Sequence, residues 1–266
     1  MPPLVAGFIE AWGIAAALMA VLWGVQRATR DAGVVDVGWA AGLGLLAAFH
    51  ALRAAEAPLA RRLLVGGLAG TWALRLAVHL LRDRVIGKSE DGRYATLRAS
   101  WGERAQPYFF LFFQAQALLD ALLSVPFQVA LATPREPGVL DGIAVVVFLV
   151  AVSGESLADH TLARFRRRAE SKGKTCREGL WSWSRHPNYF FEWLHWWTYP
   201  LLAWGAPWWG LTLGAPALML FFLLRVTGIP ATEAQALKSR GDDYRDYQRT
   251  TSAFVPWPPR ARGGGA

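Results

Sequence analysis

Residues 139–158 read VLDGIAVVVFLVAVSGESLA, with Asp141 near one end and Glu155 near the other and nothing charged between them. A helix rises about 1.5 Å per residue, so a run of this length spans about 30 Å, the thickness of a bilayer's hydrocarbon core. The run shows no alternation of polar and apolar positions, so a membrane β-barrel strand is excluded. Comparable runs recur at 4–25, 33–52, 63–81, 107–132, 190–204 and 208–228. The run at 190–204 is short unless counted from Pro187. A soluble domain of 266 residues could bury a core, but not so many long uncharged segments. The first run is too long for a signal peptide and lacks a basic leader, so it reads as a true span. These patterns predict an all-α polytopic bundle of about seven transmembrane helices. They predict one membrane domain over 1–258 and a flexible Gly-rich tail over 259–266.

Charge placement orients the bundle. With the N-terminus outside, 22 of the 28 Lys and Arg residues fall in the inner segments 26–32, 82–106, 159–189 and 229–266, against four in the outer ones. Basic residues collect on the cytoplasmic side, which predicts N-out and C-in. The net charge of +8 follows from that topology and calls for no nucleic acid. The single cysteine, Cys176, excludes an internal disulfide and any metal site with several Cys ligands. His79, His160, His186 and His195 show no metal-ligand or heme-ligand spacing, so no metal is expected.

Ionisable residues within spans are costly and require a partner or a task. They fall here on helical stripes: Arg75, His79 and Arg82; Glu155, Asp159 and Arg166; Asn188, Glu192 and His195. Three stripes at one depth predict a polar cavity open to the cytoplasm. Interhelical salt bridges are the plainer account of any one of them. The 139–158 run continues into a basic loop, ARFRRRAESKGKTCREG, which suits a polyphosphate or anionic lipid headgroups equally. That loop enters GLWSWSRHPNYFFEW, residues 179–193. Pro187 starts a helix whose free N–H groups favour an anion. Arg185, His186, Asn188, Tyr189 and Glu192 add donors, acceptors and a flat ring, a set that fits a ligand with an anionic end and a planar hydrogen-bonding ring. Elsewhere, Gly38, Gly42 and Gly44 predict close helix approach, Gln114 or Gln116 an interhelical bond, and 88–102 a cytoplasmic loop.

With SLADHTLARFRRR before it and DDYRDYQRTTSAFVPW near the C-terminus, this motif resembles the steroid 5-alpha-reductase C-terminal-like superfamily. The similarity is nearest to bacterial members labelled only as a domain of unknown function. Sterol reductases and isoprenylcysteine carboxyl methyltransferases share the Arg-His-Pro-x-Tyr core. The resemblance implies NADPH in a cytoplasm-facing cavity of a seven-helix fold. It assigns cofactor contacts to Asn188, Tyr189 and Glu192, with Phe191 in place of the usual glycine. It adds Asp159 and Arg166, Glu155 where the steroid enzymes have asparagine, Arg75, and Tyr244. Lys174, Arg185 and His186 complete the expected cofactor set. On the substrate side, Asp36 and Trp72 stand where the steroid enzymes carry Glu and Tyr. Trp72 cannot act as an acid, so a steroid 3-ketone is not implied.

The expected activity is NADPH-dependent reduction of a conjugated C=C bond in a lipid-soluble, steroid- or isoprenoid-like substrate, in a bacterial inner membrane. Asp36, the acid of the second span, would hydrogen-bond the enolate oxygen. Two alternatives use the same scaffold: an S-adenosylmethionine-dependent methyltransferase and a non-catalytic lipid-binding membrane protein. The basic string Arg166–Arg168, Lys172 and Lys174 suits a phosphorylated dinucleotide better than a sulfonium cation.

Overall fold

The computed structural model describes residues 2–226 and 228–260; the end of the expected tail, 261–266, lies outside them. Eleven helices are described: α1 (Pro2–Thr29), α2 (Val34–Arg53), α3 (Leu59–Leu80), α4 (Gly92–Trp101), α5 (Ala105–Leu131), α6 (Val139–Arg166), α7 (Pro187–Trp196), α8 (Thr198–Leu202), α9 (Gly214–Phe221), α10 (Ile229–Arg240) and α11 (Asp242–Thr250). Among the described residues there is no strand, only one bridge pairing Ser184 with Ser252. The protein is an all-helical polytopic membrane bundle.

Among the described residues, six helical segments are long and apolar enough to cross a bilayer: Pro3–Thr29, Val34–Arg53, Leu59–Val85, Gly92–Leu131, Val139–Arg166 and Trp209–Arg240. The expected span at 190–204 is instead divided. α7 stops at Trp196 and α8 resumes at Thr198, so neither piece alone has the length of a crossing. Widened turns of five residues follow α3, at Leu81–Val85, and α9, at Phe222–Val226.

The helices pack into two compact units. Of the described residues, the first holds 2–141 and 199–215, the second 142–198 and those of 216–260. In the first, α1 offers Ala11, Ala15 and Met19, α2 offers Val35 and Leu46, and α5 offers Phe109, Phe113 and Ala117. Small residues on α1 and aromatic ones on α5 interlock, as close packing in lipid requires. α2 approaches its neighbours through glycine, as expected: a Cβ at Gly38 would lie 2.0 Å from Leu22, and one at Gly44 2.9 Å from Ala73. Gln114 reaches α1, donating to the Ala16 carbonyl at 3.3 Å.

Arg61 lies in the first turn of α3, where the sequence places it in an outer loop. It is fully buried in the first unit. Its Nε donates to the Ala130 carbonyl at 2.8 Å, its Nη1 to Asp141 at 3.0 Å, and its Nη2 to the Leu202 carbonyl. Asp141 also accepts from Arg135 at 2.6 Å and from the Gly138 amide at 2.8 Å. One buried carboxylate thus ties the start of α6 to α3.

In the second unit, α6 and α7 meet through a complementary exchange of size. A Cβ at Gly154 would lie 2.5 Å from the Phe191 ring. Phe191, the residue that departs from the glycine of the resembled motif, fills the space that Gly154 leaves. Gly154→Ala is expected to cost about 1–3 kcal/mol by overpacking. Thermal unfolding in detergent checks this, and the cost of Gly154→Ala should shrink when it is measured in a Phe191→Leu background, whose smaller side chain leaves the methyl room.

Candidate functional site

The polar motif of the second unit starts where the chain leaves the basic loop. Pro187 opens α7, and Asn188, in its first turn, donates from Nδ2 to Asp159 Oδ1 of α6 at 3.3 Å. Two residues from different sequence stripes are thereby joined. Glu192 lies one turn deeper on α7, buried, and accepts from the Trp196 indole at 3.3 Å. Glu155, one turn before Asp159 on α6, is also buried. His195 is fully buried, with its ring 5.8 Å from that of Phe148, and reads as part of the core.

Arg185 and His186 turn toward a residue the sequence reading missed, Glu233 of α10. Arg185 Nε donates to Glu233 at 2.6 Å, and its Nη1 to the carbonyls of Thr251 at 2.6 Å and Gln248 at 3.1 Å. His186 Nε2 lies 3.3 Å from the same carboxylate. Tyr244 donates to it at 3.4 Å and Gln248 at 2.8 Å. Burial pushes the His186 imidazole below its ordinary value, so the neutral ring donates one N–H. That ring stacks on Tyr189 with centroids 5.3 Å apart and planes within 6°. The Tyr189 hydroxyl reaches Thr232 at 3.1 Å. A Glu in a polar C-terminal helix carries no periodic signal, which is why the sequence concealed this junction.

The C-terminal segment is docked onto the motif by backbone bonds. The Arg185 amide donates to the Ser252 carbonyl at 2.8 Å, and Ser184 Oγ to the Phe254 carbonyl at 2.8 Å. The buried Tyr247 hydroxyl donates to the carbonyls of Trp181 and Ser184.

Beside this junction, the end of α6 and the basic loop line an open cavity of about 500 Å³. Arg166, Arg167, Lys172, Lys174 and Arg240 line it, with Phe165 among its apolar residues. Arg168 lies on the same wall, where it pairs with Glu178 at 2.5 and 3.0 Å. Cys176 lies on the wall, and burial pushes its thiol up, so it is a poor nucleophile. The cavity is dominated by cations, a setting for phosphate or another polyanion. No group of three His, Cys, Asp or Glu suited to a metal ion occurs among the described residues.

Three sequence candidates belong to the first unit. Trp72 is fully buried on α3, edge-on to Trp39 with centroids 6.2 Å apart. Arg75, on the same helix, is partly buried. Asp36, the acid of the second span, is paired. It sits in the first turn of α2, where its carboxylate accepts from Arg84 at 2.6 Å, Arg93 at 2.9 Å and the Tyr94 hydroxyl at 2.6 Å. The segment expected as a loop at 88–102 is therefore largely helix α4, capped by Asp91 and pinned to Asp36.

The fold and this polar end define a class: a polytopic helical membrane protein with a cationic cavity at the end of a spanning helix. The chain belongs to the family described as protein of unknown function (DUF1295), whose model matches residues 22–251. It is 29% identical over 210 residues to an uncharacterized protein of Schizosaccharomyces pombe. That match covers 69% of this chain and 60% of the relative's length. No solved structure matches the chain.

Proposed function

We propose that this protein is an NADPH-dependent reductase of a conjugated C=C bond in a lipid-soluble substrate, as the steroid 5-alpha-reductase-like motif implies. The supporting observation is the cationic cavity, because Arg166 and Lys174, both named from the sequence, share its wall with Arg240. Its cations fit a phosphorylated dinucleotide. Arg166, Lys174 and Arg240 would take phosphate groups, while Asp159 and Asn188 would offer acceptors and donors to ribose or base. Tyr189 presents a ring already stacked on one face by His186. Arg185, His186 and Tyr244 would act by positioning, since they hold Glu233 and the C-terminal segment. Glu155 and Glu192 remain assigned to the cofactor by resemblance. When bound, NADPH supplies the hydride. In this reading the cavity faces the cytoplasm of a bacterial cell, and membrane lipid delivers the substrate.

Thermal unfolding of the detergent-purified protein tests the cofactor. A ligand at 100 times its dissociation constant stabilises the folded state by about 2.7 kcal/mol. NADPH is expected to raise the midpoint, NADH less, and S-adenosylmethionine not at all. The double substitution Arg166→Ala/Lys174→Ala should abolish the preference for NADPH over NADH. Stabilisation by S-adenosylmethionine alone would select the methyltransferase reading, and NADPH binding without turnover on any lipid ketone the non-catalytic one.

Proton donation by Asp36 is separately testable. The acid would have to release Arg84, Arg93 and Tyr94, so we assign it the anchoring of α4. Asp36→Asn should therefore leave turnover near normal in protein that stays folded. A fall of about 10²–10⁴ in kcat would return it to the general-acid role.

A further inference from the structure

Most large apolar side chains that the fold leaves exposed lie along the spanning segments, where lipid covers them. Three of the others adjoin one another in the second unit: Trp183, Val255 and Trp257, with 49%, 51% and 69% of their surface exposed. The Trp257 amide donates to the Trp183 carbonyl at 3.0 Å, which lays the C-terminal segment beside the turn before α7. Phe254 turns inward, edge-on to Phe190 and Trp193 of α7, with centroids 5.7 Å away in each case. One aromatic ring thus fixes the segment to the unit, while its neighbours Val255 and Trp257 stay outside.

The level of this patch is set by α6. The apolar run of that helix gives way to charge between Glu155 and Asp159, at the edge of the hydrocarbon. The Trp181 indole donates to the Ala158 carbonyl at 2.9 Å, and Asn188 bonds Asp159. Residues 181–188 therefore flank α6 at the boundary between lipid and water, with Trp183 among them. An indole at that level offers its ring to acyl chains and its N–H to ester or phosphate oxygens, the reason tryptophan collects at membrane surfaces. Arg260, exposed three residues beyond Trp257, adds a cation that anionic headgroups attract. Lipid is present at this level around any spanning protein, whereas a second copy would have to displace it. We propose that the C-terminal segment 252–257 is seated in the bilayer surface, with Trp183 and Trp257 inserted where headgroups meet acyl chains. Because the Arg185 amide donates to the Ser252 carbonyl, this seat also holds the Arg-His-Pro motif at the membrane boundary. The seat needs neither cofactor nor substrate and is independent of the reductase reading.

Spin labelling of the full chain in nanodiscs of phosphatidylcholine and phosphatidylglycerol tests the seat. A nitroxide on Val255→Cys reports the patch while both tryptophans stay in place. Asp242→Cys, at the start of α11 with a side chain 93% exposed, reports water. Labelling of the parent chain measures any signal from the buried Cys176. Power saturation compares collisions with oxygen, which concentrates among acyl chains, and with a water-soluble nickel chelate. The label at position 255 is expected to favour oxygen, and the label at 242 to favour nickel. In Trp183→Ser/Trp257→Ser the oxygen preference at 255 should be lost, and hydrogen exchange between 252 and 257 should rise. Equal nickel accessibility at 255 and 242 in the chain with both tryptophans would put the segment in water and overturn the proposal. A label at 255 shielded from both reagents would overturn it in favour of a protein cover, with spin–spin broadening identifying a second copy. An oxygen preference that survives the double substitution would overturn the role of the two indoles.

Discussion

Asp141→Ala is expected to destabilise the protein by about 3–5 kcal/mol, because it strands the Arg61 guanidinium in the interior without a counter-charge. The pair is unusually enclosed, with side-chain exposures of 0% for Arg61 and 2% for Asp141. Arg61 would keep its bonds to the Ala130 and Leu202 carbonyls, which satisfy protons but do not neutralise the charge. Arg135, 32% exposed, would turn to solvent at little cost. The companion double substitution Arg61→Met/Asp141→Leu should recover most of the loss, since an apolar pair of similar volume avoids desolvation altogether. Thermal and denaturant unfolding in detergent checks both. A single variant within about 1 kcal/mol of the parent would show that the pair is hydrated and carries little.

Glu233→Ala should release the C-terminal segment from the Arg-His-Pro motif. The carboxylate gathers Arg185, His186, Tyr244 and Gln248, and hydrogen bonds to a charged group are worth roughly 1.5–3 kcal/mol each when broken singly. These bonds share one acceptor, so they are not additive, and a net loss of about 2–4 kcal/mol is expected. Arg185 retains the Thr251 and Gln248 carbonyls, so the segment should loosen locally before the unit unfolds. Hydrogen exchange across 242–257 should rise sharply, with the amides of α1–α3 unchanged. If the cofactor reading holds, NADPH stabilisation should weaken in the same variant, because Arg185 and His186 lead directly into α7. Glu233→Gln, which keeps the acceptor but not the charge, should show a smaller effect on both measurements.

These two expectations fall on residues with different legibility. Glu155, Asp159, Asn188 and Glu192 stood out in the sequence because a polar side chain in an apolar run has few tolerable positions. The structure joins Asp159 to Asn188 across two helices. Glu233 and Arg61 gave no such signal. Each sits in a segment with charged neighbours, where one more charge is unremarkable. Asp36 was legible as the acid of the second span, but not its partners, which come from positions 84, 93 and 94.

The sequence alone determined that the chain is helical and membrane-spanning. Hydrocarbon leaves backbone groups no partner outside the segment itself, so length and apolarity suffice to define a span. It also located the polar motif, the basic loop and the small-residue face of α2. Pairing was decided by tertiary structure: Arg61 with Asp141, Arg185 and His186 with Glu233, and Phe191 against Gly154. Hydrogen bonds and ion pairs act over about 3 Å between residues that can be far apart in the chain, and no local pattern records which of them meet.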